Sequence, residues 1–416
     1  MNQKNLLDVY YLKHQSYSLL YFSKLNSGNY KGEIPMNKIM FSVTVGSSVA
    51  HVLRTRNIAR NLLKKGYDVL YCTSHKALPF LKDYLGAQNI AINNTSAESS
   101  TSYIDKIDYA TLANNENKIY QYYQPHIIIG DNGLICHLYQ PDVPFINILN
   151  RFEVELLGHG DSPFESHELT LMRNQLETLV NSIRKKRQIP TPFIYSDYAS
   201  PRSIINGPSF LVNDLQNYSY YFAGSNTALQ VREKKYSHYE NCLIFFGTGL
   251  RKTRIDLISK VLKQIENRFK KIYVSYGTQL NIKDIYQPYN AIMQPLFDFL
   301  PDDVGLLICH GGYGILDSGV RAGVPIIMLP FSPEHLSNAH QIQKQGLGFN
   351  LGIYDKKTFQ GRSEQIQVNW SQFEHALDNF HRLKPYHNIT ELISEGSKLN
   401  TIVEDFINKN TSSYTG

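Results

Sequence analysis

Strand-like and helix-like segments alternate along this sequence in two separate series, which limits the folds open to it. The strand-like runs are short and rich in β-branched and aromatic residues, and the segments between them carry apolar residues at helical spacing, as at Ile58, Leu62 and Leu63. This order is typical of parallel strands joined by crossover helices. The first series predicts strands at KIMFSVTV (38–45), YDVLYCT (67–73), HIIIGD (126–131) and VPFINIL (143–149).

The second series follows an irregular stretch at 151–215, which contains one predicted helix at 168–187, and a polar, Tyr-rich link. It predicts strands at NCLIFFGTG (241–249), KKIYVSYGT (270–278), NAIMQ (290–294), VGLLICHGG (304–312) and VPIIMLP (324–330). We therefore expect an α/β protein with two doubly wound, Rossmann-like domains that face each other across a cleft. Their predicted limits are 37–222 and 241–416, with a linker at 223–240. The last helix of the second domain can return to pack on the first domain.

Residues 1–36 precede the first predicted strand and form an extension with several tyrosines. Three interpretations of it stay open: packing on the protein surface, contact with a partner or a membrane face, and disorder. Asp8, Lys13 and Lys24 interrupt its apolar patches, so we expect no export signal. No apolar run in the chain reaches roughly eighteen residues, the length needed to cross a bilayer.

Composition and charge are those of a globular protein that does not bind nucleic acid. Of the 416 residues, 42% are hydrophobic, which is too many for a disordered chain. The net charge of +6 is spread out, with one dense run at Arg184-Lys185-Lys186-Arg187. We interpret this run as a solvated helix end, because no aromatic residues are interleaved with it.

The four cysteines are widely spaced, and each lies in or beside an apolar, strand-like run. Buried, reduced thiols are expected from this pattern, and they indicate a cytoplasmic protein. The four are Cys72, Cys136, Cys242 and Cys309.

A glycine-rich turn at HGGYG (310–314) connects the strand LLIC (306–309) to a predicted helix. Glycines let the backbone approach a ligand closely, and the free N–H groups at a helix start, with its positive dipole end, bind phosphate. Taken alone, the same letters also describe a tight turn without a ligand.

The residues around this turn resemble the donor-binding block of GT-B glycosyltransferases of the UDP-glycosyltransferase kind (family 1), which includes the bacterial macrolide and antibiotic enzymes. AHVLRTRNIARNLLKKGYDV (50–69) resembles the N-terminal motif of the same family. In register with the donor block are His310, Gly311, Gly312, Gly314, Gly323-Val324-Pro325, Pro330, Asn338-Ala339 and Gly346-x-Gly348, and upstream Pro295-Leu296 and Leu300-Pro301.

The resemblance implies a metal-independent, inverting transfer of a sugar from a UDP- or dTDP-sugar to a hydroxyl of a small, natural-product-like acceptor, without a cofactor. It makes His51 the general base and Asp131 the residue that orients it, in keeping with the ability of imidazole to accept a proton near neutral pH. His51 as a merely structural residue beside the helix is the alternative. The chain contains no Asp-x-Asp pair. The donor-binding residues implied are Met293, Gln294, His310, Gly312, Gly314, Ile315, Ser318, Glu334 and His335.

Several positions depart from the family pattern. Ile315 replaces a Thr or Ser of the phosphate cradle, Ser318 replaces the ribose-binding Glu, and Met293 replaces the aromatic residue that stacks on the base. Glu334-His335 stands where the family has Asp-Gln for the sugar, or else forms an ordinary surface pair. Arg54 replaces a proline, and either faces an acidic ligand or solvent.

Three functions therefore stay open. The first is the inverting glycosyltransferase described above. The second is a MurG-like transferase with a lipid-linked acceptor at a membrane face. The third is a catalytically silent relative that binds nucleotide sugar or assists a partner enzyme, and the replacements at Ile315, Ser318 and Met293 favour it, whereas the retention of His51 and Asp131 disfavours it.

Overall fold

A computed structural model describes the following residues: 38–43, 50–74, 77–93, 109–131, 143–186, 188–190, 192–200, 203–224, 240–247, 251–277, 280–297, 300–362, 365–383 and 398–411. Within them, the backbone alone is described at 50, 109–113, 251–253 and 411. The N-terminal extension, Cys136 and nearly all of the predicted linker lie outside the described residues.

The first half of the chain forms a parallel sheet of seven strands in the order β3-β2-β1-β4-β5-β6-β7. We call this sheet and its helices the first domain. Its strands are β1 (Lys38–Val43), β2 (Asp68–Thr73), β3 (Ile90–Ile92), β4 (Ile127–Asp131), β5 (Phe145–Leu149), β6 (Ile204–Asn206) and β7 (Tyr221–Gly224). Its helices are α1 (Ala50–Lys64), α2 (Leu78–Leu85), α3 (Tyr109–Tyr123), α4 (Arg151–Glu155), α5 (Ser166–Lys186), α6 (Tyr195–Tyr198) and α7 (Ser209–Val212).

The second half repeats the plan with six parallel strands in the order β10-β9-β8-β11-β12-β13, and we call it the second domain. Its strands are β8 (Asn241–Phe245), β9 (Lys271–Ser275), β10 (Ala291–Gln294), β11 (Leu306–Cys309), β12 (Ile326–Met328) and β13 (Gly348–Asn350), and a small antiparallel pair follows, β14 (Gly352–Ile353) and β15 (Gln367–Val368). The helices are α8 (Arg251–Ile265), α9 (Tyr313–Arg321), α10 (Pro333–Lys344), α11 (Phe373–Asn379) and, near the end of the chain, α12 (Lys398–Thr411).

Both sheets have a point where the strand order reverses, between β1 and β4 in the first and between β8 and β11 in the second. Helices that leave neighbouring strands on opposite sides open a crevice there, beyond the carboxyl ends of the strands. In the second sheet these ends are aligned, because one row of paired residues crosses all six strands: Gln294, Ser275, Phe245, Cys309, Met328 and Asn350. Loops that follow the strands therefore meet at one edge.

The sequence patterns account for these elements. The central strands are buried on both faces, as parallel strands between two helix layers must be, and β4, β8 and β11 are buried throughout. Helix α1 buries Val52, Ile58 and Leu62 on one side. It begins at Ala50, earlier than the loop predicted up to His51, so His51 belongs to the first turn of the helix.

One prediction about the surface was wrong. Arg184, expected in a solvated helix end, is 2% exposed on α5, whereas Lys185 and Lys186 of the same run are exposed. Arg184 lies on the face of α5 that also buries Val180, one turn earlier, so helical periodicity carries it inward. The thiols of Cys72, Cys242 and Cys309 are free and buried, as expected.

The last helix, α12, packs against the first sheet and α1. Leu399, Val403 and Ile407 on one of its faces belong to the apolar core of the first domain. The spacing of these three residues, four apart, places them on one stripe of the helix. Part of the sequence of the second half thus completes the core of the first.

The two domains are in contact through α10. Ser337 donates a hydrogen bond of 2.7 Å to Glu155, whose carboxylate also pairs with the fully buried Arg151 at 2.6 Å. His340 and Lys344 each lie 2.9 Å from a carboxylate oxygen of Asp161. One apolar core also runs through both domains. These contacts fix how the carboxyl edges of the two sheets face each other.

Removal of the buried side chain of Ile407 tests the return of α12 to the first domain. We expect Ile407→Ala to lower the free energy of unfolding by roughly 2–5 kcal/mol, because it leaves a cavity in that core. Equilibrium urea unfolding followed by circular dichroism measures the change. Asp405→Ala, at an exposed position of the same helix, is the control, and equal stability of the two variants would contradict the packing.

Candidate active site

His51 and Arg54 lie one turn apart at the start of α1, and both reach Asp131 at the end of β4. Nδ1 of His51 is 2.8 Å from Oδ1 of Asp131. Nε of Arg54 donates to Oδ2 of Asp131 at 2.5 Å, and Nη2 donates to Oδ1. Nη2 also lies 2.9 Å from Nδ1 of His51. We call these three residues the His51 cluster.

The Asp131 carboxylate in this cluster is charged at neutral pH. Burial raises its pKa, but the Arg54 guanidinium and His51 outweigh burial and hold the pKa below its ordinary value. Arg54 does not face solvent, one of the two interpretations that its sequence position left open, because its guanidinium is buried against Asp131. The Asp131 carboxylate therefore interacts with two groups, the Arg54 guanidinium and the His51 imidazole.

The second nitrogen of His51, Nε2, has no hydrogen-bond partner in the part of the chain that the structure describes. The side chain is 13% exposed, whereas that of Asp131 is fully buried. A histidine that is held at Nδ1 and has no partner at Nε2 can accept a proton at Nε2.

Glu334, in the first turn of α10, brings the second domain to this cluster. Burial raises the pKa of Glu334, and the charges of His51 and Arg54 act on it in the opposite direction. Glu334 acts on Arg54 in return. Because these groups are close enough to influence one another's charge, the crevice between the domains joins them.

Glu153 adds a further acid on the first-domain side. It closes a capping box at the start of α4 with Asn150, and it accepts a hydrogen bond of 2.9 Å from Tyr198. Burial raises the pKa of Glu153 to about 7, against the effect of the Asn150 amide. The charge of Glu153 reaches Arg54, so this acid belongs to the surroundings of the His51 cluster.

On the opposite wall, β11 turns through two glycines into α9. Gly311 has φ +93°, and a Cβ on it would lie 2.9 Å from the carbonyl oxygen of His335, so another residue is excluded. Gly312 is the N-cap of α9, and no side chain caps this helix. The first-turn N–H groups, which include those of Gly314 and Ile315, have no acceptor within the helix. With the positive dipole end they form an anion-binding site.

His310 lies under this turn as a neutral imidazole. Burial lowers its pKa to about 4, Arg254 lowers it further, and a hydrogen bond to the Phe245 carbonyl acts in the opposite direction. Nδ1 donates this bond at 3.3 Å. Nε2 then carries a lone pair, and it lies where a Cβ on Gly312 would collide with it. His310 thus supports the shape of the turn.

His335 does not extend away from the turn but packs on it. Its ring lies edge-on to His310, with centroids 4.4 Å apart, and to Phe331 at 4.7 Å. Burial, and then His310, lower the pKa of His335 well below the ordinary value. Its Nδ1 is buried, with no hydrogen-bond partner in the described residues.

The remaining predicted donor residues lie at two places. Ile315 and Ser318 point into the second domain, where Ile315 joins the apolar core and the Ser318 hydroxyl donates to the Gly314 carbonyl at 2.9 Å. Met293 and Gln294 end β10, with Met293 half-buried and Gln294 exposed. The structure therefore brings His51, Asp131 and Glu334 together, and separately His310, the glycines and His335.

Sequence reasoning missed three polar residues of the crevice region: Arg254, Glu153 and Tyr313. Arg254 lies buried in α8, and the residues around it in the sequence form no pattern that indicates a function. Glu153 had a local signal, since Asn150-x-x-Glu153 is a capping-box pattern. Tyr313 is the variable residue of HGGYG, and a Cβ on Gly207 of the first domain would collide with its hydroxyl. These roles depend on contacts between distant parts of the chain.

Within the described ranges, no group of three or more His, Cys, Asp or Glu side chains is arranged to hold a metal ion. Over the same residues, no helix combines the length and the apolar character that crossing a membrane requires.

The solved structures that superpose on this chain include glycosyltransferases. The glycotransferase of kitacinnamycin superposes with a TM-score of 0.58 over 90% of this chain and 99% of its own, at 16% identity. The calicheamicin glycosyltransferase gives 0.58 over 90% and 99%, at 13% identity. A glycosyltransferase of Streptomyces sp. SF2575, complexed with thymidine diphosphate, gives 0.52 over 88% and 99%, at 16% identity. No family model matches the sequence, and neither does any curated protein.

These likenesses establish the fold. The chain has the two-domain α/β architecture of those glycosyltransferases, and the GT-B fold predicted from the sequence is confirmed.

Acid should destabilise the protein through His310. Its pKa is about 4 when folded and near the ordinary 6.5 when unfolded, so between these values the unfolded chain binds the additional proton. Stability is therefore lost as the pH falls through this window, by roughly 3 kcal/mol in full. His310→Asn should lose less stability between pH 7 and 4.5 than wild type does, as measured by urea unfolding at each pH.

The difference between variant and wild type is the informative quantity, because Glu153, with its raised pKa, contributes in the opposite direction over part of the same range. His381→Asn, at an exposed position of the second domain, is the matched control. A wild-type loss that His310→Asn leaves unchanged would show that this imidazole is not held neutral.

Proposed function

We propose that the protein is a metal-independent, inverting glycosyltransferase that moves a sugar from a UDP- or dTDP-sugar to a hydroxyl of a small-molecule acceptor. The observation that carries this proposal is the proximity of the His51 cluster of the first domain to Glu334 of the second, whose charges act on one another. The fold shared with known glycosyltransferases supports it. The free, buried thiols are in keeping with a cytoplasmic location.

In the proposed reaction His51 removes the proton of the acceptor hydroxyl. Nε2 accepts it, because Nδ1 is held beside Asp131. The acceptor oxygen then forms a bond to the anomeric carbon while the bond from that carbon to the phosphate oxygen breaks. The product is a glycoside with inverted configuration, and the nucleoside diphosphate leaves with the electron pair. Asp131 stabilises the positive charge that develops on the imidazole. The Arg54 guanidinium weakens this stabilisation, because it binds the same carboxylate.

The glycine turn is the proposed site of the diphosphate. Amides at the start of α9 would bind its oxygens, and the helix dipole would stabilise the charge that grows on the leaving group. One structure of the same fold is complexed with thymidine diphosphate, which supports a nucleotide as the ligand. Met293 and Gln294 at the end of β10 are the proposed neighbours of the base.

Glu334 is the proposed ligand of the transferred sugar. It lies in the first turn of α10, between the glycine turn and the His51 cluster, where hydroxyls of a bound hexose would pass. A carboxylate accepts hydrogen bonds from sugar hydroxyls. His335, which packs on His310, would then shape the pocket and leave the hydroxyl contacts to Glu334.

A second function, a silent relative that binds nucleotide sugar, is favoured by one observation. Arg54 contacts both oxygens of Asp131, and so it competes with His51 for the carboxylate that the proposed mechanism needs. The Ile315 side chain also lies in the apolar core, and the Ser318 hydroxyl donates to the Gly314 carbonyl. Binding and turnover therefore have to be measured separately.

The first test is a thermal-shift series with UDP, dTDP, ADP and GDP on wild type and His51→Ala. We expect UDP or dTDP to raise the melting temperature of both proteins, since saturation at a hundredfold excess over Kd adds roughly 2.7 kcal/mol of stability. Release of UDP or dTDP from the nucleotide sugar, with a panel of phenols and macrolide alcohols as acceptors, should fall about 10²- to 10⁴-fold in His51→Ala.

Lys65→Ala, at an exposed position that follows the same helix, serves as the control for both measurements. If no nucleotide raises the melting temperature, the proposed donor site is wrong. Nucleotide binding without turnover in wild type, over the whole acceptor panel, would favour the silent relative.

Glu334→Gln separates sugar from nucleotide recognition. We expect the affinity for UDP or dTDP to stay within about threefold of wild type, and the affinity for the nucleotide sugar to fall roughly tenfold, as for the loss of one charge-assisted hydrogen bond. Isothermal titration calorimetry with dTDP, UDP, UDP-glucose and UDP-galactose measures both. An equal loss for nucleotide and nucleotide sugar would contradict the assignment.

A further inference from the structure

A fully buried arginine lies at the carboxyl edge of the second sheet. Arg254 is in the first turns of α8, and its side chain has no exposed surface. Nη1 donates hydrogen bonds to the carbonyl of Gly247 at 2.7 Å and to that of Tyr276 at 3.2 Å. These residues follow β8 and β9, and a Cβ on Gly277 would collide with the same Nη1. The guanidinium is therefore inserted between the ends of two neighbouring strands.

The other two nitrogens of this guanidinium, Nε and Nη2, are buried without a hydrogen-bond partner among the described residues. No carboxylate among the described residues pairs with Arg254. Arg151 shows the usual arrangement, since this equally buried arginine pairs with both Glu155 and Asp214. A buried cation without a counter-charge is unfavourable, and proteins rarely retain one without a reason.

Burial lowers the pKa of Arg254 to about 10, so the group stays positively charged at neutral pH. The protein therefore keeps an unpaired charge and does not lose it by deprotonation. An anion that binds nearby would supply the missing counter-charge.

The glycine turn adjoins this charge. A Cβ on Gly247 would lie 3.1 Å from the His310 ring, and Gly247 is the residue whose carbonyl binds Arg254. The charge of Arg254 acts on His310 itself. The unpaired guanidinium and the open amides of α9 thus flank His310 at the point where the strand order reverses, between β8 and β11.

We propose that Arg254 is the fixed counter-cation of the donor's diphosphate, which is bound by the first turn of α9 beside His310. This inference rests on the proposed function and adds to it a binding residue that no sequence motif indicates. Arg254 stabilises the bound diphosphate and the additional negative charge that appears when the bond to the sugar breaks, because charges interact strongly where water is excluded.

The test compares wild type, Arg254→Gln, Arg254→Met and Arg254→Lys by isothermal titration calorimetry with dTDP, UDP and thymidine. We expect Arg254→Gln and Arg254→Met to bind the diphosphates roughly 10- to 100-fold more weakly, as for the loss of one hydrogen bond to a charged group. Arg254→Lys, which keeps the charge, should lose less than about tenfold. Thymidine, which has no phosphate, should bind all four proteins equally.

The melting temperature of the ligand-free variants distinguishes this role from a structural one. Loss of a structural arginine would lower the melting temperature. Because the charge is uncompensated in the free protein, Arg254→Met and Arg254→Gln should melt at the same temperature as wild type or higher. Arg268→Gln, at a partly exposed arginine that pairs with Glu374 and Asp378, is the matched control and should leave nucleotide affinity unchanged.

Equal diphosphate affinity in wild type and in a folded Arg254→Gln or Arg254→Met protein overturns this inference and leaves the proposed function intact. A loss of stability in both variants, with thymidine weakened as much as dTDP, also overturns it, because the residue would then be structural. If wild type binds neither dTDP nor UDP, the proposed function itself is overturned.

Discussion

Parallel pairing of strands is the constraint on which the rest of this molecule depends. Because all strands of one sheet run in the same direction, their carboxyl ends lie in a row, and the loops that follow them meet at one edge. The order of each sheet reverses once, which opens a crevice at that edge. Asp131 ends a strand at one crevice and His310 follows a strand at the other. The contacts of α10 with the first domain then bring the two edges face to face.

Burial determines the charge states of the groups in this crevice as much as ion pairing does. Asp131 keeps its negative charge because Arg54 and His51 stabilise it, and Glu153 and Glu334 have raised pKa values because they are desolvated. Around the glycine turn of the second domain, burial holds His310 neutral, while Arg254 remains a cation. The first-domain wall thus carries Asp131, Glu153 and the His51 imidazole, whereas the second-domain wall carries Glu334, the amides of α9 and the unpaired positive charge of Arg254. The proposed nucleotide-sugar donor matches that polarity.

Tertiary contacts also give side chains roles that their neighbours in sequence do not suggest. Arg54, which stands in place of a proline of the resembling family, occupies the carboxylate that would otherwise serve His51 alone. Tyr313 reaches from the glycine turn to Gly207 in the other domain. In both cases a long side chain crosses from its own element to another, and a one-residue change of helical phase would remove the contact. The local pattern of apolar and polar residues is the same whether or not such a contact forms.

Much of the fold was readable from the linear sequence, because it depends on local and periodic signals. Apolar runs, helical spacing and glycine turns predicted four strands of the first sheet and five of the second, and the glycines of HGGYG predicted the turn from β11 into α9, which begins at Tyr313. His51 and Asp131 were paired only through a family resemblance, and the contact itself joins residues 80 positions apart. The burial of Arg184, the ion pair of Arg54 and the isolation of Arg254 were decided by tertiary structure alone. The physical reason is that the energy of a charge depends on the atoms around it in space, and these come from strands and helices that the sequence order keeps far apart.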